Sequence, residues 1–217
     1  MIISQNTVTG RLQFLLKVPA TISYLSSSNV ISRARENLAD TVTPYRWSVE
    51  QLAEFVSDGI RELKTLRSDL KDRTDSNIPD ATDSNIPDCF ESAIANYTVY
   101  RALALDNDAQ NNNGALSDKY FGLFNSQAAA VPYIFTDVEL QKFTQEAVTD
   151  LIARRPELRI TADNTLKENI NVSGGYDLPE RFTDAICFFA AYRAAIHSKN
   201  EIANYFLEQY QGALNTI

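Results

Sequence analysis

Histidine occurs once, at position 197, cysteine twice, at 89 and 187, and tryptophan once, at 47. One imidazole and two thiols are too few for the usual tetrahedral Cys/His zinc site, and they leave little with which to activate a nucleophile. The seven glycines are scattered, so no glycine-rich phosphate loop exists, and Gly174-Gly175 reads as a turn. Basic residues are also in deficit: 20 Lys and Arg stand against 28 Asp and Glu, a net charge of -8. Broad binding to a phosphate backbone depends on Lys and Arg displacing condensed counterions, so nucleic acid could pass this surface but would not be held. No run approaches the roughly 18 apolar residues of a membrane span, and no basic segment followed by an apolar core and a small-residue cleavage site opens the sequence. The chain is therefore expected to be made in the cytoplasm. With 44% hydrophobic and 22% charged residues, most of it should fold.

What the sequence does contain is the same pattern twice. Pro44-Tyr45-Arg46-Trp47-Ser48 onward to Leu70 aligns without a gap on Pro132-Tyr133-Ile134-Phe135-Thr136 onward to Leu158, an offset of 88. Leu52, Phe55, Leu63, Arg67 and Leu70 recur as Leu140, Phe143, Leu151, Arg155 and Leu158. A second block recurs at an offset of 92: Ile86-Pro87-Asp88, Phe90, Ala93-Ile94 and Tyr100-Arg101-Ala102 return as Leu178-Pro179-Glu180, Phe182, Ala185-Ile186 and Tyr192-Arg193-Ala194. The repeated positions are caps and core residues, as expected where each unit must rebuild the same packing surface.

The organisation expected from these patterns is mainly α: an extended N-terminal arm over residues 1–27, a first helical unit over 28–126 and a second over 127–217. Each unit has about three helices, and a short helix precedes them at Asn29–Leu38. In the arm, Pro19 breaks any helix after the apolar run Leu12 to Val18, which reads as a strand or as a segment docking on a neighbour. Ser48 with Gln51, and Thr136 with Glu139, are capping boxes, each flanked by a hydrophobic staple, Trp47 with Leu52 and Phe135 with Leu140. Stripes follow at Leu52, Phe55/Val56, Ile60, Leu63, Leu66 and at Leu140, Phe143, Ala147/Val148, Leu151. Asn85 and Asp177 are placed to cap the next helices, with Pro87-Asp88 and Pro179-Glu180 in their first turns. Closing helices are expected near Ala115–Asn125 and Asn200–Leu214, with a linker at Gln127–Val131. Arg159-Ile160-Thr161 and Asn169 to Val172, ending at Gly174-Gly175, suggest a small β-hairpin in the second unit.

Candidate reactive groups read mostly as structure. His197 falls at a helix end, where it faces the last carbonyls. Both cysteines read as small buried hydrophobes. Asp75, Asp80, Asp83 and Asp88 lack calcium-loop spacing and arise from the octapeptide repeated at Thr74–Ala81 and Thr82–Asp88. Arg154, Arg155 and Arg159 sit at a helix end, which cations stabilise, with a phosphate contact as the alternative. The Tyr100-Arg101 and Tyr192-Arg193 pairs read as salt bridges or helix caps rather than ligand sites. No catalytic residue, cofactor or metal ligand is assigned.

The segment Ile31 to Asp40, followed by Arg46-Trp47-Ser48, Leu52, Asp58-Gly59, Glu62 and Arg67-Ser68-Asp69, resembles the head-to-tail adaptor (connector) proteins of tailed bacteriophages. Leu178-Pro179-Glu180-Arg181-Phe182, Ala185-Ile186 and Tyr192-Arg193-Ala194 continue the likeness, which spans about residues 28 to 217. The resemblance implies a non-enzymatic virion subunit, assembled in the host cytoplasm into a ring at the head-tail neck, commonly of twelve copies. Its partners would be the portal protein, tail or nozzle proteins and further copies of itself, with genomic DNA passing through the lumen unbound and no membrane involved. Phe14, Leu15, Leu16 and Val18 are the expected partner interface. The duplication also allows six two-unit chains to imitate twelve. The alternative reading is a helical-repeat protein-binding module of a non-viral assembly.

Overall fold

The computed structural model describes residues 3–17, 23–70, 86–106, 113–159, 170–172 and 174–216. It is mainly α-helical. In chain order the elements are β1 (Ile3–Ser4), α1 (Gln5–Leu16), α2 (Ser27–Asn37), α3 (Val49–Leu66), α4 (Glu91–Leu105), α5 (Asn113–Ala130), α6 (Asp137–Arg154), β2 (Asn171–Val172), β3 (Gly175–Tyr176), α7 (Thr183–His197) and α8 (Ala203–Asn215). The chain forms two compact units, Thr21–Tyr133 and a discontinuous one made of Met1–Ala20 with Ile134–Ile217.

In the Thr21–Tyr133 unit, α2 packs on α3 and α4, and α4 packs on α5. Both halves of the Ser48–Gln51 capping box form: the Gln51 backbone N–H donates to Ser48 Oγ at 3.2 Å and the Ser48 N–H to Gln51 Oε1 at 2.9 Å. The stripe of α3 buries Leu52, Phe55, Val56, Ile60 and Leu63, with Leu52 and Phe55 clustered with Ala102 of α4 and flanked by Ile31, Leu38 and Trp47. Gly59 is buried in this packing, because a Cβ there would lie 3.0 Å from Tyr97 Cδ1.

In the other unit, α6 packs on α7 and α7 on α8, and α1 packs on both α7 and α6. The capping box recurs, with the Glu139 N–H donating to Thr136 Oγ1 at 3.2 Å and the Thr136 N–H to Glu139 Oε2 at 2.7 Å. Buried Leu140, Phe143, Ala147, Val148 and Leu151 form the stripe of α6, and Phe182, Ala185, Ile186, Ala190 and Ala194 line the facing helix. The small sheet is three-stranded in the order β1-β3-β2, all antiparallel, with Ile3 opposite Tyr176 and Val172 opposite Gly175. Gly174, at φ 78°, makes the turn that leads into β3, a conformation that favours a residue without Cβ.

Several sequence expectations need correcting. Residues 5–16 are a helix, α1, rather than part of an extended arm. Val8, Leu12 and Leu15 fall at helical spacing, which buries Val8 and Leu12 completely. The expected linker at Gln127–Val131 is largely the last turn of α5, since three consecutive alanines, 128 to 130, favour helix. Each Pro-acidic signal opens a 3-10 turn, Asp88–Phe90 and Glu180–Phe182, one turn ahead of α4 and α7. Cys89 is exposed, unlike Cys187. The hairpin forms at β2 and β3, whereas residues 160–169, the octapeptide copies up to Asn85 and the expected Asn85 cap lie outside the described residues.

Candidate partner interface

The apolar run singled out in the sequence is the C-terminal half of α1, and the groove that holds this helix defines its geometry. β1 fixes the entry by pairing with β3, and the Gln5 N–H donates to the Gly174 carbonyl at 2.9 Å. Ile3, Val8 and Leu12 are buried, and Arg11 meets Asp184 of α7 at 2.5 Å. The helix ends at Lys17, φ 55°, whose N–H reaches the carbonyls of Gln13 and Phe14. Leu15 and Leu16 are half-buried, while Phe14 points the other way and is 83% exposed. Beside it a cleft of about 330 Å³ is lined by Gly10, Arg11, Phe14, Leu15, Asp184, Cys187 and Phe188. Phe14 and Leu15 thus border this cleft, Leu16 is not part of its lining, and Val18 lies outside the described residues.

The reactive side chains are used inside the units. His197, the last residue of α7, lies with Nε2 3.7 Å from Glu139 Oε1 and its ring packs, tilted, with its centre 5.6 Å from that of Phe143. Burial pushes the Cys187 thiol up to about 12, so it stays protonated and unreactive at neutral pH. Arg154 pairs with Asp150 at 2.7 Å, and Arg155 donates to the Leu214 carbonyl at 3.0 Å. Arg101 meets Asp58 at 3.2 Å and Arg193 meets Glu146 at 2.7 Å, so each Tyr-Arg pair supplies a salt bridge within its own unit. Among the described residues no group of three or more His, Cys, Asp or Glu could hold a metal ion. No helix among them is long and apolar enough to cross a membrane.

Two polar clusters were not legible in the sequence. Arg67 donates to both carboxylate oxygens of Asp69, at 2.9 and 2.7 Å, and to the carbonyls of Ala128, Val131 and Pro132. It thereby caps the end of α5. The recurrence of Arg155 88 positions later was a signal, because it caps α8 in the same way through Leu214. The second cluster pins residues 40–47: Asp40 accepts from Arg35 at 2.6 Å and from the backbone N–H groups of Arg46 and Trp47.

The family model described as SU10 adaptor protein matches residues 26–217. The chain belongs to that family. An SU10 adaptor is a phage structural adaptor, a component of the virion that associates with other head or tail proteins. No curated protein and no solved structure matches the chain. The SU10 adaptor match spans both helical units and begins after α1.

Proposed function

We propose that this SU10 adaptor is a head-to-tail ring subunit, joining the portal to the tail and lining the passage through which the genome moves. The observation that carries the reading is the family match across residues 26–217. Twelve chains, or six two-unit chains imitating twelve, are the two stoichiometries for such a ring. The net charge of -8 fits a lumen along which DNA slides without being held. The role needs no catalysis and no cofactor. Phe14, with Leu15 and Leu16 beside it, is the contact to the portal or to a neighbouring subunit.

The test is native mass of the purified chain, alone and mixed with the portal protein of the same genome. A stoichiometric ring on the portal supports the reading, and its copy number separates twelve from six. Indifference to the portal refutes it. Phe14→Ser should weaken attachment while leaving the helical signal unchanged, since the ring is already in water. Deleting residues 1–27 is a poorer probe, because it also removes the buried Ile3, Val8 and Leu12.

A further inference from the structure

The unit built on α6, α7 and α8 is completed by a segment from the far end of the chain. In the Thr21–Tyr133 unit the short helix packed on α3 and α4 is α2, which directly precedes α3 in sequence. In the other unit the helix packed on α6 and α7 is α1, and between it and α6 lies the whole of Thr21–Tyr133. The passage from α5, ending at Ala130, to α6, starting at Asp137, is too short to hold a helix of that size. So β1 and α1 are joined to one unit, whose pairing with Ile86 and Asp88 begins at Ser23, and packed in the other.

Resting on the ring reading above, we propose that in the assembled adaptor each β1–α1 segment occupies the groove of a second copy rather than that of its own chain. The groove is formed by the edge of β3 and the faces of α6 and α7, and the segment presents to it Ile3, Val8, Leu12 and Arg11. These contacts are the same whichever chain supplies the segment, which is the condition for exchange between identical protomers. Helix α1 has no side-chain cap, no acidic residue in its first turn, no basic residue in its last and a glycine at position 10, so its helicity depends on the groove. Lys17 closes α1, and Ser23 and Leu25 are held by backbone hydrogen bonds with Asp88 and Ile86, so residues 18–22 alone join the two, spanning at most about 20 Å, and neighbours in a ring present their grooves at a high effective concentration. Such exchange makes each subunit hold its neighbour through a buried strand and helix, so a ring cannot shed one copy without withdrawing two segments.

The experiment uses full-length chains in which Cys89→Ser and Cys187→Ala remove the native thiols. One chain then carries Arg11→Cys and another Asp184→Cys, positions whose native side chains touch. A third carries both and reports closure within a chain. Equal amounts of the two single variants are assembled with the portal and treated with a short bis-maleimide. About half of the Arg11→Cys chains should become linked to an Asp184→Cys chain in the ring, the share set by random neighbours, and almost none before assembly. Rings that contain both variants but yield no such pair, while the double variant still closes on itself, overturn the exchange and leave the ring reading intact. Failure of the unmodified chain to join the portal at all removes both.

Discussion

Replacing Arg67, the residue that follows α3, by alanine should strongly destabilise the Thr21–Tyr133 unit. The guanidinium makes five hydrogen bonds, two to Asp69 and three to the carbonyls of Ala128, Val131 and Pro132, and lies 5.0 Å from the centre of the Phe90 ring. Its side chain is only 12% exposed and that of Asp69 1%, so water cannot readily replace the lost partner. Removing one member of a buried ion pair costs about 3–5 kcal/mol, chiefly because a charge is left buried without its counterion. The carbonyls at the end of α5 recover part of their loss from solvent, so the five bonds do not add, and about 4 kcal/mol is expected. Arg155 is the control. Its side chain is 36% exposed, its partner Glu157 59%, and it grips the single carbonyl of Leu214, so Arg155→Ala should cost about 1 kcal/mol. Trp47, the one tryptophan, belongs to the Thr21–Tyr133 unit and reports its unfolding in a urea titration. With a slope near 2 kcal/mol per molar, Arg67→Ala should lower the Trp47 midpoint by about 2 M. Adding Asp69→Leu to an Arg67→Met chain should recover about 2 kcal/mol relative to Arg67→Met alone, by removing the stranded carboxylate. A midpoint shift under about 0.5 M, or equal losses for Arg67→Ala and Arg155→Ala measured by circular dichroism, would refute the reasoning.

Two glycines should respond with opposite signs to alanine. Gly59→Ala places a Cβ 3.0 Å from Tyr97 Cδ1 and 3.3 Å from Ile94 Cγ2, so overpacking outweighs helix propensity, a net loss of about 1–2 kcal/mol by chemical denaturation. Gly10→Ala meets nothing within 4 Å and should gain about 0.5–1 kcal/mol. Iodoacetamide at pH 8 should label exposed Cys89 and spare Cys187, whose pKa near 12 leaves almost no thiolate; mass spectrometry showing equal labelling of the native chain would contradict the burial. Ser48→Ala and Thr136→Ala should each cost about 1 kcal/mol, read by thermal unfolding, and no loss at either would show that its capping box contributes nothing.

The helix starts were the most legible part of this chain, because a capping box is written in four consecutive residues and needs no tertiary partner. Ser48 with Gln51 and Thr136 with Glu139 closed as the pattern required. The stripes of α3 and α6 were legible for a similar reason, except that Leu66, expected in the first, is exposed at the end of α3. Helix α1 was not, because its polar Thr, Gln and Asn residues dilute the periodicity and its cap at Ser4 makes no side-chain bond. Its helicity comes from a groove whose walls are distant in sequence, at α6 and α7. For the same reason the role of Arg67 was hidden: its recurrence was visible at Arg155, but a carbonyl acceptor has no residue type to mark it. At the candidate interface the apolar residues were legible, but only the helix decides that Phe14 faces water while Leu12 does not.

The split origin of the α6–α8 unit also sets a clock on its synthesis. Helix α1 leaves the ribosome well before α7, whose first residue is Thr183. At 5–20 residues per second, roughly 10–40 s separate the two, an interval in which Ile3, Val8 and Leu12 have no groove to enter. The Thr21–Tyr133 unit has all its elements contiguous and can close during that wait. Each newly made adaptor therefore passes through a state with one unit folded and an apolar N-terminal segment still searching, and on a crowded polysome the first finished groove it meets need not be its own.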